Sequence, residues 1–158
     1  HPLWMYPGDA DELGFETGDM IRINTDIGYF VMRVWRTEGI RPGVVAASHH
    51  LGRWRLADDT GNERWSSALV DLSRQENGWM LRQQRGIAPF TSDDPDSERI
   101  WWQDAGVNQN LAFPVHPDPI SGMHAWHQRV RLGPAEPGDR YGDVFVDTDK
   151  SHQVYQEL

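Results

Sequence analysis

The sequence predicts a mainly β domain with short helices, its sheet closed or nearly closed. Two observations carry this expectation: short segments that alternate apolar and polar residues or are rich in β-formers, and glycine- and proline-bearing turns that separate them. Near the start, Pro7-Gly8-Asp9 leads into Ala10-Asp11-Glu12-Leu13, followed by Gly14. Asp9 is expected to cap a very short helix, and Gly14 to end it in the left-handed conformation. Thr17-Gly18-Asp19 reads as a turn, and Met20 to Asn24 alternates as a half-buried strand does. Asp26-Ile27-Gly28 turns the chain into a second strand, Tyr29 to Arg36. Thr37 to Gly43 is a loop closed by Pro42-Gly43, and Val44 to Ala47 is a short buried strand running into the polar loop Ser48 to Trp54.

The middle, Ala57 to Gln103, is polar and is read as an excursion from the sheet, with the acid-rich stretch Thr91 to Glu98 as an exposed loop. Order returns at Trp101-Trp102, which read as core or interface packing, and at Gly106 to Leu111. Asp118-Pro119-Ile120-Ser121-Gly122 is a turn signal, and Gln128 to Leu132 alternates as a closing strand. Pro134 to Gly142 is a loop, Asp143 to Val146 is extended, and Asp149 to Leu158 is a terminal helix that Asp147-Thr148-Asp149 would start. No internal repeat or low-complexity segment is visible.

A chain of 158 residues corresponds to one domain with a single core. Only 38% of it is hydrophobic, and its eight tryptophans offset part of that deficit through the large apolar area each can bury. No run of about 18 apolar residues occurs, so direct membrane insertion by a helix is not expected. Fifteen basic against 24 acidic side chains leave a net charge of −9, which argues against a general nucleic-acid surface. An anionic ligand is expected only where arginines cluster locally. The absence of cysteine excludes disulfides, cysteine-bound iron–sulfur clusters and a thiol nucleophile within these residues. The opening His1-Pro2 reads as the start of a fragment or a processed piece, and a cytoplasmic or a periplasmic location both stay open.

Several short patterns occur in a fixed order: Pro2, Pro7, Asp9-Ala10, Leu13-Gly14, Gly18-Asp19, the hairpin, Ile40 to Val45, His49 to Gly52, and Asn108 to Leu111. Asp118-Pro119 and Ser121-Gly122 then precede Val130-Arg131-Leu132. Each is weak alone, but in this order they resemble the molybdopterin (guanine) dinucleotide-binding C-terminal domain of the DMSO reductase-type molybdenum/tungsten oxidoreductases. The resemblance implies a double-psi β-barrel of the aspartate decarboxylase-like kind, formed by residues 1–56 and 104–133 of a single domain spanning 1–158. Residues 57–103 would be the excursion and 134–158 a C-terminal extension, with a first barrel strand belonging before Pro2. It further implies a cofactor-binding part of a larger catalytic subunit, packed against that subunit's other domains and served by an iron–sulfur electron-transfer subunit. The cofactor would be bis-molybdopterin guanine dinucleotide, its molybdenum or tungsten held mainly by other domains. Any iron–sulfur cluster would lie outside these residues, and no catalytic residue is expected within them.

The residue types suit such a ligand. A pterin–guanine dinucleotide offers a diphosphate, hydroxyl-rich sugars and flat heterocycles, which need cations, backbone N–H groups and amides. Ser48, His49, His50, Leu51, Gly52, Arg53 and Trp54 supply a hydroxyl, two imidazoles, a close backbone approach, a cation and a ring, and Arg55 adds a second cation. Asn108 and Asn110 each supply a donor and an acceptor. Where the family has a lysine near position 126, this chain has Trp126, so His127 and Gln128 would make any contact there by stacking or hydrogen bond.

The same residues have other readings. The two imidazoles of the loop can be satisfied by backbone groups, Arg53 and Arg55 can pair with surface acids, and Asn108 and Asn110 can stabilise a turn. His116, His124 and His127 with Asp118 have tolerable spacing for a metal, although strand alternation would set 124 and 127 on opposite faces. A stand-alone barrel acting as a binding or assembly module without cofactor is the second functional class, since fold alone does not assign function. Convergence of Ser48 to Arg55 with Asn108 and Asn110 on one cleft would favour the cofactor.

Overall fold

The computed structural model describes residues 2–48, 55–56, 69–83, 107–123 and 128–157. The chain opens with β1 (Pro2–Met5), a strand that buries Leu3 and Met5 and turns Trp4 outward. Helix α1 (Pro7–Leu13) follows, with Pro7 in the first turn, where its missing N–H costs nothing. The residue before it, Tyr6, makes no side-chain cap, so Asp9 sits inside the first turn and does not cap the helix as expected. Its carboxylate instead accepts the N–H of Gly43 at 2.6 Å. Gly14 ends the helix with φ 72°, as the sequence predicts.

Strands β2 (Met20–Asn24) and β3 (Gly28–Arg36) form an antiparallel hairpin in which Ile23 faces Phe30 and Ile21 faces Met32. The nine residues of β3 organise the sheet. One edge carries β2; the other carries β9 (Val144–Asp147) along Gly28–Phe30 and, in parallel, β1 along Arg33–Arg36. A two-residue β4 (Val45–Ala46) closes on β1.

Within the middle region, residues 69–83 join this sheet. A second hairpin, β6 (Leu69–Arg74) and β7 (Gly78–Gln83), pairs through β7 with the free side of β9, while β5 (Arg55–Leu56) lies parallel to β6. After a 3₁₀ turn (Gln109–Ala112) comes β8 (Arg131–Pro134), antiparallel to β2. The closing strand expected over Gln128 to Leu132 therefore starts later, because the antiparallel register is set by Ile23 facing Leu132 and β2 ends at Asn24, opposite Arg131. Helix α2 (Thr148–Gln156) is capped by Asp147, whose carboxylate accepts the Lys150 N–H at 2.9 Å.

Opposed residues build one apolar face: Leu3 beside Val34, Ile23 beside Phe30 and Leu132, Phe30 beside Val144, and Val144 beside Leu81. Each such pair supports its neighbour across the ladder. Ala10, Phe15, Val107 and Ala112 cover this face. Among the described residues the ladder ends at β4, β5 and β8, each paired along one edge, so a mainly β sheet is present and its closure is not seen. Among the same residues no helix is long and apolar enough to cross a membrane.

Candidate functional site

A cleft of about 1190 Å³ opens between α1, β4, the 3₁₀ turn and the segment entering β8. Its accessible apolar wall is half-buried Phe113, Val130 and Leu132, backed by the core residues Leu3, Ile23 and Phe30, with Phe30 and Phe113 meeting edge to face at 5.6 Å. Three local devices set its shape. Asp9 holds Gly43, whose φ of 74° is left-handed and suits glycine, and so fixes the direction in which Val44 to Ala47 leave the turn. Thr25 donates its hydroxyl to the Ala112 carbonyl, tying the 3₁₀ turn to the first hairpin. The third is the β2–β8 pairing, which places Gln128 to Val130 at the rim.

Of the residues expected from sequence to bind a ligand, Asn110 and Gln128 line this cleft, as does Ala47, the last residue before exposed Ser48. Asn110 is exposed and Gln128 half-buried. Asn108 does not line the cleft; it precedes the 3₁₀ turn, and its carbonyl accepts the Leu111 N–H at 3.4 Å. His49, His50, Leu51, Gly52, Arg53, Trp54 and His127 lie outside the described residues. So do Trp126 and the histidine at 124, so the metal alternative falls largely on residues outside the described ones. Asp118 accepts hydrogen bonds from the N–H groups of Ile120 and Ser121 and from the Ser121 hydroxyl, which together hold its carboxyl below the usual range. That is a turn residue's work.

Gln109 is the residue that sequence reasoning missed. It lines the cleft at 3% exposure, its Nε2 donates to the Ala47 carbonyl at 3.5 Å, and its Oε1 is buried without a partner. A buried acceptor left unpaired costs about 1–3 kcal/mol. The signal lay in the alternation of Val107 and Gln109, both buried, against the more open Asn108 and Asn110; a polar side chain on the buried side of such a pattern marks a site.

The charged residues around β9 have a different role. Arg22 makes two hydrogen bonds to Asp139 (2.7 and 2.8 Å), reaches Glu136 at 2.7 Å and stacks over Tyr29 at 4.0 Å. Burial works to raise the Asp139 pKa, but the bonds from Arg22 and the Glu136 N–H and the charges of Arg22 and Arg82 outweigh it, leaving Asp139 below the usual carboxylate range. Asp143 is shifted the other way: burial pushes it up, against the Arg140 N–H bond and the charges of Arg82 and Arg140. Arg82 Nε lies 3.1 Å from its carboxylate but is not aligned for a hydrogen bond. These groups fasten the 135–143 loop to β2 and β7, on residues that do not line the cleft.

Residues 1–78 match the family described as Molydopterin dinucleotide binding domain. The arsenate respiratory reductase molybdopterin-containing subunit ArrA of Chrysiogenes arsenatis is similar to this chain, 35% identical over 54 residues. That stretch is 34% of this chain and 6% of the relative. No solved structure gives a significant match. The family match takes in β1 to the first residue of β7, including the stretch Ser48 to Trp54, and stops short of Gln109, Asn110 and Gln128.

Proposed function

We propose that this chain, whose residues 1–78 belong to the molybdopterin dinucleotide-binding domain family, grips the nucleotide end of the cofactor in a molybdopterin oxidoreductase. The observation that carries this reading is the convergence on one cleft of Asn110, Gln128 and the strand that enters Ser48. The residues present suit the group. Gln109 offers a buried acceptor with no partner, Asn110 and Gln128 offer amide donors and acceptors, and the aromatic and aliphatic wall suits a flat heterocycle. When bound, the cofactor supplies the redox chemistry, and the protein supplies position and electrostatics. Asn110 and Gln128 orient polar edges of the ligand, the wall excludes water, and the Asp9–Gly43 joint aims the following segment at the cleft.

The finer features belong to the same proposal: guanine as the second base, molybdenum or tungsten as the metal, and contacts from Ser48, His49, His50, Leu51, Gly52, Arg53, Trp54, His127 and, from beside the cleft, Asn108. The rest of the catalytic subunit and an iron–sulfur subunit would be its partners; the chain spans 6% of the relative it matches, whose arsenate chemistry is not carried over. A double-psi barrel is the fold we infer, supported by the family and by the parallel pairing of β1 with β3 inside a largely antiparallel sheet. The test is pterin content, read as fluorescence of the oxidised pterin released from protein expressed in a cofactor-producing host. Arg53→Ala and Asn110→Ala are expected each to lower it several-fold, and wild-type content in both overturns the reading in favour of a cofactor-free binding module.

A further inference from the structure

Two guanidinium groups on the cleft have no assigned task. Arg41, two residues before Gly43, and Arg129, two residues before β8, both line it and both are exposed. Arg22, Arg36 and Arg82 are committed to carboxylates, on Asp139 and Glu136, on Glu16 and Asp11, and on Asp143. Among the described residues Arg41 and Arg129 have no ion pair, side-chain hydrogen bond or ring contact. In a chain of net charge −9, two uncommitted cations on one concavity offset its two carboxylates, Asp9 and Glu12, and leave it less acidic than the chain as a whole.

The remaining charges on the cleft sharpen the point. Asp9 and Glu12 of α1 also line it. The Asp9 carboxylate is committed to the Gly43 N–H, whereas Glu12 is exposed and opposes an anion. The apolar wall lowers the local dielectric, so each guanidinium acts on an anion there more strongly than it would on open surface. A guanidinium also matches phosphate oxygens with two parallel N–H bonds. Arg41 and Arg129 come from segments far apart in sequence, joined on the cleft by the β1–β4 and β2–β8 pairings.

We propose that Arg41 and Arg129 hold the diphosphate of the dinucleotide at the cleft rim, an assignment that rests on the cofactor-binding reading above. The experiment is calorimetric titration of the 158-residue chain with inorganic pyrophosphate and with GDP, at low and moderate salt, with guanosine as the uncharged comparator. The double variant Arg41→Gln/Arg129→Gln is expected to weaken pyrophosphate and GDP roughly tenfold or more and to flatten their salt dependence, leaving guanosine unchanged. Glu12→Gln is expected to tighten pyrophosphate. Arg131→Gln, exposed on β8 and outside the cleft, is the control and should bind as wild type does. Thermal unfolding of each variant verifies the fold, since all these side chains are exposed.

Wild-type affinity in the double variant, an equal loss in Arg131→Gln, or a wild-type chain that does not bind pyrophosphate overturns the assignment. The two readings fail separately. A chain that retains pterin but binds pyrophosphate independently of these arginines loses only this inference, whereas pterin content indifferent to Arg53→Ala and Asn110→Ala removes the reading beneath it.

Discussion

The two hairpins of this protein share a turn and differ in what holds them. In the first, the Thr25 N–H donates to the Gly28 carbonyl at 2.8 Å; in the second, the Gln75 N–H donates to the Gly78 carbonyl at 2.9 Å. Both present a glycine to the same strand from opposite sides, Gly28 against Val146 and Gly78 against Asp147 of β9. A Cβ on Gly28 would lie 2.1 Å from the Phe145 carbonyl oxygen, and one on Gly78 would lie 2.0 Å from that of Val146. Neither glycine has a positive φ, so close approach and not backbone conformation demands it. The first hairpin then buries Ile21, Ile23, Phe30, Val31, Met32 and Val34, whereas the second buries Val70, Met80 and Leu81 and leaves Leu72 42% exposed. A similar turn is thus anchored by a core in one case and by β9 and a few polar ties in the other, including the Asn77 amide on Asp147 at 2.6 Å.

That contrast can be broken most severely at the glycines. Gly28→Ala is expected to cost about 3 kcal/mol or more in denaturant unfolding, because backbone on β9 must shift against a packed core. Gly78→Ala should instead loosen the second hairpin: amide exchange protection falls across 69–83 and persists across 20–36. Equal loss in both stretches would show that the hairpins unfold as one unit.

A smaller effect separates the two carboxylates of the loop beside β9. Asp139 has a lowered pKa in the fold, so its contribution is present above the unfolded carboxyl value of about 3.9 and is lost as pH falls through its folded pKa. Asp143 has a raised one, so its ionisation costs stability above its folded pKa, and stability is regained as pH falls through that value toward about 3.9. Asp139→Asn is expected to cost about 2 kcal/mol at neutral pH and to flatten the acid limb of a stability–pH profile. Asp143→Asn should flatten the limb above about pH 4. Identical profiles for the two variants would contradict the opposed shifts.

The smallest expected change in stability is at the cleft. Gln109→Leu removes an unpaired buried acceptor and a long hydrogen bond together, so unfolding should shift by no more than about 1 kcal/mol. Pterin content should nonetheless fall; unchanged content would make Gln109 a packing residue only.

The difference between the hairpins also explains what was legible. Met20 to Asn24 alternates strictly and β3 is dense in β-formers, so their limits were predicted to within a residue. The second hairpin carries a shorter apolar pattern inside a polar region, and its turn residues Glu76-Asn77 are not a two-residue hairpin signal in themselves. The strand β1 was missed although Leu3 and Met5 alternate with Trp4, because four residues give periodicity little to act on. Asp9 looked like a helix cap because its partner, Gly43, is far away in sequence.

Local pattern by itself determined the first hairpin, the Gly14 helix end, the Asp147 helix start and the family match of residues 1–78, since each depends on neighbours in the chain. Only the tertiary structure decided which polar groups share a cleft. Arg41, Gln109, Asn110, Gln128 and Arg129 meet because apolar pairs such as Ile23 with Leu132 fix the register of distant strands. A register set by burial carries every polar side chain on those strands and their flanks with it, and spacing along the chain cannot reveal where they arrive.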